Sequence, residues 1–134
     1  MTTLDLINSA PQTLTVDASL VAEAIDAAAA CALVSTACAS ACLSESHDAM
    51  QQCVRDDLDC ADICDVTARH LARLNRGDKQ LTLSLLATCI EACVQCAGSC
   101  EPHAAQHDHC RLCLEACRRC ETACQSLLDA LKAV

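Results

Sequence analysis

The stretch Cys110–Cys124, CRLCLEACRRCETAC, carries cysteines at steps of three, four, three and four residues. That spacing is the period of an α-helix, and it holds side chains to one face of it. At about 100° per residue the five thiols fall within an arc of roughly 80°. Cys89, Cys93, Cys96 and Cys100 span about 60° by the same geometry, and the trios Cys31, Cys38, Cys42 and Cys53, Cys60, Cys64 about 40° each. All 15 cysteines therefore belong to stripes on four helices. Each stripe occupies the inward face where a soluble bundle normally keeps leucine and isoleucine.

The rest of the composition agrees with a helical core built this way. The chain has 134 residues, two Gly, two Pro and no Phe, Tyr or Trp, which favours long helices over sheet. Free cysteine packs as a small hydrophobe and can supply the missing core volume. A net charge of −9 argues against nucleic acid, whose binding rests on Lys and Arg neutralising phosphates. No run of about 18 uninterrupted apolar residues suggests a membrane span. The start, MTTLDLINSAPQ, lacks a basic n-region, an apolar h-region and a twin arginine, so a reducing cytoplasm is expected. An odd number of cysteines also fits poorly with complete disulfide pairing.

The expected fold is all-α, an antiparallel up-down-up-down four-helix bundle with a cysteine-lined core. Residues 1–16 form a lead-in, with one short turn around Leu4–Asn8 ended by Pro11, and residues 17–134 form the bundle. The first long helix is expected from about Asp17 to Leu43, capped by Thr15 or Asp17. The second runs from about Ser46 to Leu74 and stops at Asn75-Arg76-Gly77, with Gly77 suited to the position after a helix end. Asp78 caps a third, reaching about Cys100. Glu101-Pro102 breaks it, and the fourth occupies about His103 to Ala133. Cys42 and Cys53 are three helical turns apart, so phase alone does not demand a break between them. An unbroken helix from Asp17 to Leu74 would be about 85–90 Å long, however, and a reversal near Ser44–His47 is expected instead.

Aliphatic residues continue each stripe at one end only. They precede the cysteines on the first helix (Leu20, Ala24, Ala28) and third (Leu81, Leu85, Leu86), and follow them on the second (Leu71, Leu74) and fourth (Leu127, Leu128, Leu131). An up-down-up-down order brings all four segments to the same end. The opposite end gathers Cys42, Met50, Cys53, Cys100, His103, His107 and Cys110. A tube of thiols is expected, plugged with leucine at one end and edged with histidine and methionine at the other.

Soft thiolates select Cu(I), zinc or iron–sulfur clusters. Zinc bound by four thiolates leaves two excess negative charges, and many such sites would bury charge without partners. Cu(I) is monovalent, accepts two or three thiolates and can share them, so about one ion per thiol leaves the core near neutral. Thiols at i,i+3 and i,i+4 sit about 5–6 Å apart at Cβ, near enough to clasp one ion. The alternatives are an iron–sulfur or zinc-thiolate protein, or a bundle stapled by disulfides. The run CVQCAGSCEP lacks one cysteine of the ferredoxin pattern and misplaces its proline.

The other candidate ligands divide by phase. His103 and His107 lie seven and three residues before Cys110 and share its stripe, whereas His109 points about 100° away. Met50, three before Cys53, faces inward; its thioether suits Cu(I), although methionine is also a common core filler. His70 is expected at the surface, and His47 near the open end with poor phase. Asp56, Asp57, Asp59 and Asp62 are expected on a solvated outer face. No nucleophile–base pair or glycine-rich phosphate loop stands out, so no enzyme is expected.

The segments CALVSTACASAC, CVRDDLDCADIC, CIEACVQCAGSC and CRLCLEACRRCETAC resemble the bacterial copper storage proteins, in particular their cytosolic branch, from about Asp17 to Val134. The resemblance implies storage of multiple Cu(I) ions per chain by core cysteines, in a bundle folded before metal arrives. It also implies histidines that admit copper at the open end, and a homo-oligomer, commonly a tetramer. Delivery and removal then call for a copper chaperone or a small-molecule thiol.

Overall fold

The computed structural model describes residues 1–11, 14–45, 48–73 and 79–134. Among these, the chain forms α1 (Thr3–Asn8), α2 (Ala18–Leu43), α3 (Gln51–Ala72), α4 (Lys79–Cys100) and α5 (Asp108–Lys132), with 3₁₀ turns at Asp48–Met50 and Glu101–His103. The described residues contain no strand. The four long helices form the expected bundle, with α2 beside α3, α3 beside α4, α4 beside α5 and α5 beside α2. Their direction alternates. Cys53 meets Cys100 while Cys64 meets Cys93, and Cys96 meets Cys113 while Cys89 meets Cys120.

Local chemistry sets several of the boundaries. Asp17, not Thr15, caps α2, its carboxylate accepting from the Ser19 N–H at 2.9 Å. Thr2 and Asp5 form a reciprocal capping box on α1. That short helix packs on α2 through Ile7, and Leu14 and Val16 also lean on the core. The lead-in is therefore docked on the bundle. α3 begins at Gln51 after a 3₁₀ turn; the earlier start expected at Ser46, and His47 with it, lie outside the described residues. So do Leu74 and the stop and cap expected at Asn75-Arg76-Gly77 and Asp78.

The last helix corrects the sequence reading. α5 starts at Asp108, five residues later than expected, and His107 is its cap with extended backbone at φ −132° and ψ 112°. Pro102 shapes a 3₁₀ turn whose His103 carbonyl accepts from the Gln106 and His107 N–H groups. Packed helix axes lie about 8–10 Å apart, so the chain needs non-helical residues to cross from α4 to α5.

The aliphatic plug is present at the end expected for it. Val21, Ala24, Ala28, Leu71, Leu86, Leu127, Leu128 and Leu131 are buried there. Leu81 is not part of it, being 57% exposed. Thr82, seven residues before Cys89, takes the inward phase instead and bonds His70 Nε2 at 2.9 Å. His70 is thereby half-buried at the plug, not free on the surface. Helices α2 and α4 have the length and mean hydropathy of membrane spans, but their cysteine-bearing faces are buried in the bundle.

Candidate metal centre

The stripes converge as the spacing requires. Every cysteine is buried, none more than 2% exposed, and none of the 15 is in a disulfide. Neighbouring sulfurs lie 3.6 Å apart at Cys53–Cys100 and 3.7 Å at Cys31–Cys60, Cys60–Cys64, Cys64–Cys93 and Cys96–Cys113. These pairs join helices as well as successive turns, so the sulfurs form a connected network along the axis.

Within the network, ligand atoms gather in overlapping sets whose members all lie within 4.8 Å of one another. Cys31, Cys60, Cys64 and Cys93 form one set, and Cys64, Cys89, Cys93 and Cys120 another. The two share the Cys64–Cys93 edge, the geometry needed for thiolates that bridge ions. The remaining cysteines extend the column: Cys117 lies 3.8 Å from Cys31, and Cys124 lies 3.9 Å from Cys120. Copper fits this donor set, being soft, monovalent and tolerant of shared sulfur.

Two polar residues sit inside the sulfur column. Ser35 is fully buried, 3.8 Å from Cys31 Sγ and 3.7 Å from Cys113 Sγ. Asp57 is also fully buried, which corrects its expected place on a solvated face. Its Oδ1 accepts S–H donation from Cys96 at 3.0 Å and Cys113 at 3.3 Å, with Cys100 at 3.7 Å. Burial pushes the Asp57 carboxyl up to about 8, against the pull of the Cys96 hydrogen bond. Asp56 is half-buried beside Ser99, while Asp59 and Asp62 are exposed as expected.

The sequence contained a signal for both residues. Ser35 is four after Cys31 and three before Cys38; Asp57 is four after Cys53 and three before Cys60. Each fills the gap in a seven-then-four stripe, where the unbroken helices carry cysteine.

The histidine end differs from the sequence reading. His109, expected to point away, brings Nδ1 within 3.4 Å of Cys38 Sγ, 3.5 Å of Cys110 Sγ and 3.9 Å of Cys42 Sγ. It lies in the first turn of α5, where side chains lean toward the helix N-terminus and so over the open end of the tube. His107 stands beside it, ring centroids 5.5 Å apart, with Nδ1 3.3 Å from Glu45 Oε1. His103 is half-buried in the 3₁₀ turn before α5, so the shared phase assumed for it and His107 does not apply. Met50 is buried, as its phase required, and lines a surface cavity of about 380 Å³ together with Cys42, Glu45 and Arg55. Burial raises the thiols nearest this end, Cys110 to about 11 and Cys42 further. Cys53, one layer in, is held down to about 3 by its hydrogen bond with Cys100.

Comparison with known proteins converges on one description. A family model described as "Copper storage protein" matches residues 17–129. The structure of Ccsp from Streptomyces lividans loaded with 10 copper equivalents is similar at a TM-score of 0.92 and 44% identity, over 96% of this chain and 99% of that one. A second structure of the cytosolic copper storage protein from the same organism, with five coppers, superposes at a TM-score of 0.80 and 46% identity, over 83% of this chain and 93% of that one. A cysteine-rich protein of Bacillus subtilis, YhjQ, is 32% identical over 90 residues, 66% of this chain and 78% of its own length.

Proposed function

This chain belongs to the copper storage protein family, and from that premise we propose that its core cysteines hold many Cu(I) ions in the cytosol as a reserve. The observation that carries the reading is the chain of overlapping four-ligand sets in a sealed core. Such sets let one thiolate serve two ions, so the charge of the filling and that of the sulfurs nearly cancel. Isolated zinc sites in the same space would leave buried negative charge uncompensated. Each thiol must lose its proton to bind, so loading releases protons and weakens as pH falls.

The unit that binds copper is residues 17–134, a span supported by the extent of the family match. At the open end His109, with Cys38, Cys42 and Cys110, offers the imidazole closest to sulfur. His103, His107 and Met50 serve beside it as groups through which ions enter. We assign no catalytic step. Exposed Leu33, Leu58, Val94 and Leu112 on the outer faces support self-association, with a tetramer as the assembly the family suggests. A copper chaperone or a small-molecule thiol supplies and removes the ions.

Titration of the reduced protein with Cu(I) against a competing chelator tests the reading. Uptake is expected to approach or somewhat exceed the cysteine number of 15. Saturation after one or two ions would overturn it, as would a preference for zinc or iron in protein purified anaerobically from copper-fed cells.

A further inference from the structure

Glu45 follows the end of α2, where its backbone N–H donates to the Cys42 carbonyl at 3.1 Å. That bond fixes the residue directly above one of the outermost thiols. Its Oε1 atom faces both histidines at once, 3.3 Å from His107 Nδ1 and 3.2 Å from His109 Nε2. The Glu45 side chain is 30% exposed, and those of His107 and His109 are 19% and 23% exposed. The three groups thus span the boundary between solvent and the sulfur column.

A carboxylate oxygen only accepts hydrogen bonds, so Nε2 of His109 carries the proton in the pair with Glu45. In the neutral ring the lone pair then rests on Nδ1, the atom that faces Cys38, Cys42 and Cys110. Without the carboxylate the ring is free to exchange tautomers or to swing outward from a helix end. A ligating histidine commonly depends on such an outer partner for its tautomer and its aim.

We propose that Glu45 is the positioning residue of the copper entry site: it locks His109 in the Nε2–H tautomer and aims Nδ1 at the outer thiols, ready for an arriving Cu(I) ion. By gripping His107 with the same oxygen it also holds the second ring at the rim. The proposal rests on the copper-storage reading and adds to it a residue that carries no metal itself. The proton stays on Nε2 throughout; the ion takes the place of the S–H contacts at Nδ1, and the protons of the thiols that bind it leave to solvent.

The test compares Glu45→Ala and Glu45→Gln with the parent, each also in a His109→Ala background. Ring ¹⁵N correlations of the apo protein are expected to show His109 as the Nε2–H tautomer in the parent and in Glu45→Gln, whose carbonyl oxygen still accepts. A mixture is expected in Glu45→Ala. Uptake of the first Cu(I) equivalent from a chelator complex should slow about 10-fold in Glu45→Ala, recover in Glu45→Gln, and show a much smaller added loss where His109 is already alanine, the remainder coming from the released His107. An unchanged tautomer and rate in Glu45→Ala would overturn the proposal, as would an equal slowing in the His109→Ala background. The total capacity of the parent, read from the same titration, judges the storage function separately, because tautomer and entry rate do not enter it.

Discussion

Asp57 is the residue at which the core departs most from its own rule. Burial among four thiols pushes this carboxyl up to about 8, well above the ordinary carboxylate range. An unfolded chain loses the same proton at about 3.9. Between these values the folded state binds one proton more than the unfolded state, so the stability it provides is present in acid and is lost as pH rises toward about 8. Thermal unfolding of the reduced apo protein is therefore expected to move to lower temperature as pH rises through that window. Asp57→Asn retains the shape and an acceptor oxygen but not the titration, so its melting temperature should change less with pH than the parent's. The other thiols titrate in both proteins, and the difference between the curves isolates this group; parallel curves would show that Asp57 is ionised at neutral pH.

At the scale of elements, leucine does in the plug what sulfur does elsewhere, and it does so without metal. Leu127 is fully buried on α5 among Leu128, Leu131 and the plug residues of the other helices. Leu127→Ala should lower apo stability by about 2–5 kcal/mol through lost burial and an unfilled cavity. Urea unfolding with an unchanged denaturant slope checks this, and a loss below about 1 kcal/mol would show that the plug collapses around the gap. The helices themselves were legible wherever a capping residue and the cysteine phase agreed, as at Asp17 on α2. The start of α5 was not, because proline after Glu101 suits the first turn of an α-helix and a 3₁₀ turn alike, and only the distance between packed helices decides between them. The thiol column could be read from cysteine type and helical spacing together. Asp57 was hidden because polar type suggested surface while phase put it inside, and Ser35 fills the corresponding gap in the stripe of α2. His109 was hidden because phase constrains a side chain within a helix but not one at its open end, and Leu81 because Thr82 holds the inward phase.

For the whole molecule, a core that packs without metal separates folding from filling. Buried thiols contribute as hydrophobes, and the plug and caps need no ion, so a helical circular dichroism spectrum is expected from the reduced apo protein. Copper then binds a site that is already assembled, and binding to the native state alone raises the unfolding temperature as loading proceeds. A disordered apo spectrum would contradict this separation.

Among the described residues the plug closes one end of the column and leaves the histidine end as its port. With entry at that port, ions that arrive early are expected to settle farthest from the rim, with later arrivals behind them. Withdrawal through the same port then runs in reverse: if one copper isotope is supplied first and a second afterwards, a chelator should strip the second before the first. Such a vessel works as a stack, keeping its most recent deposit nearest to hand and its oldest in longest reserve.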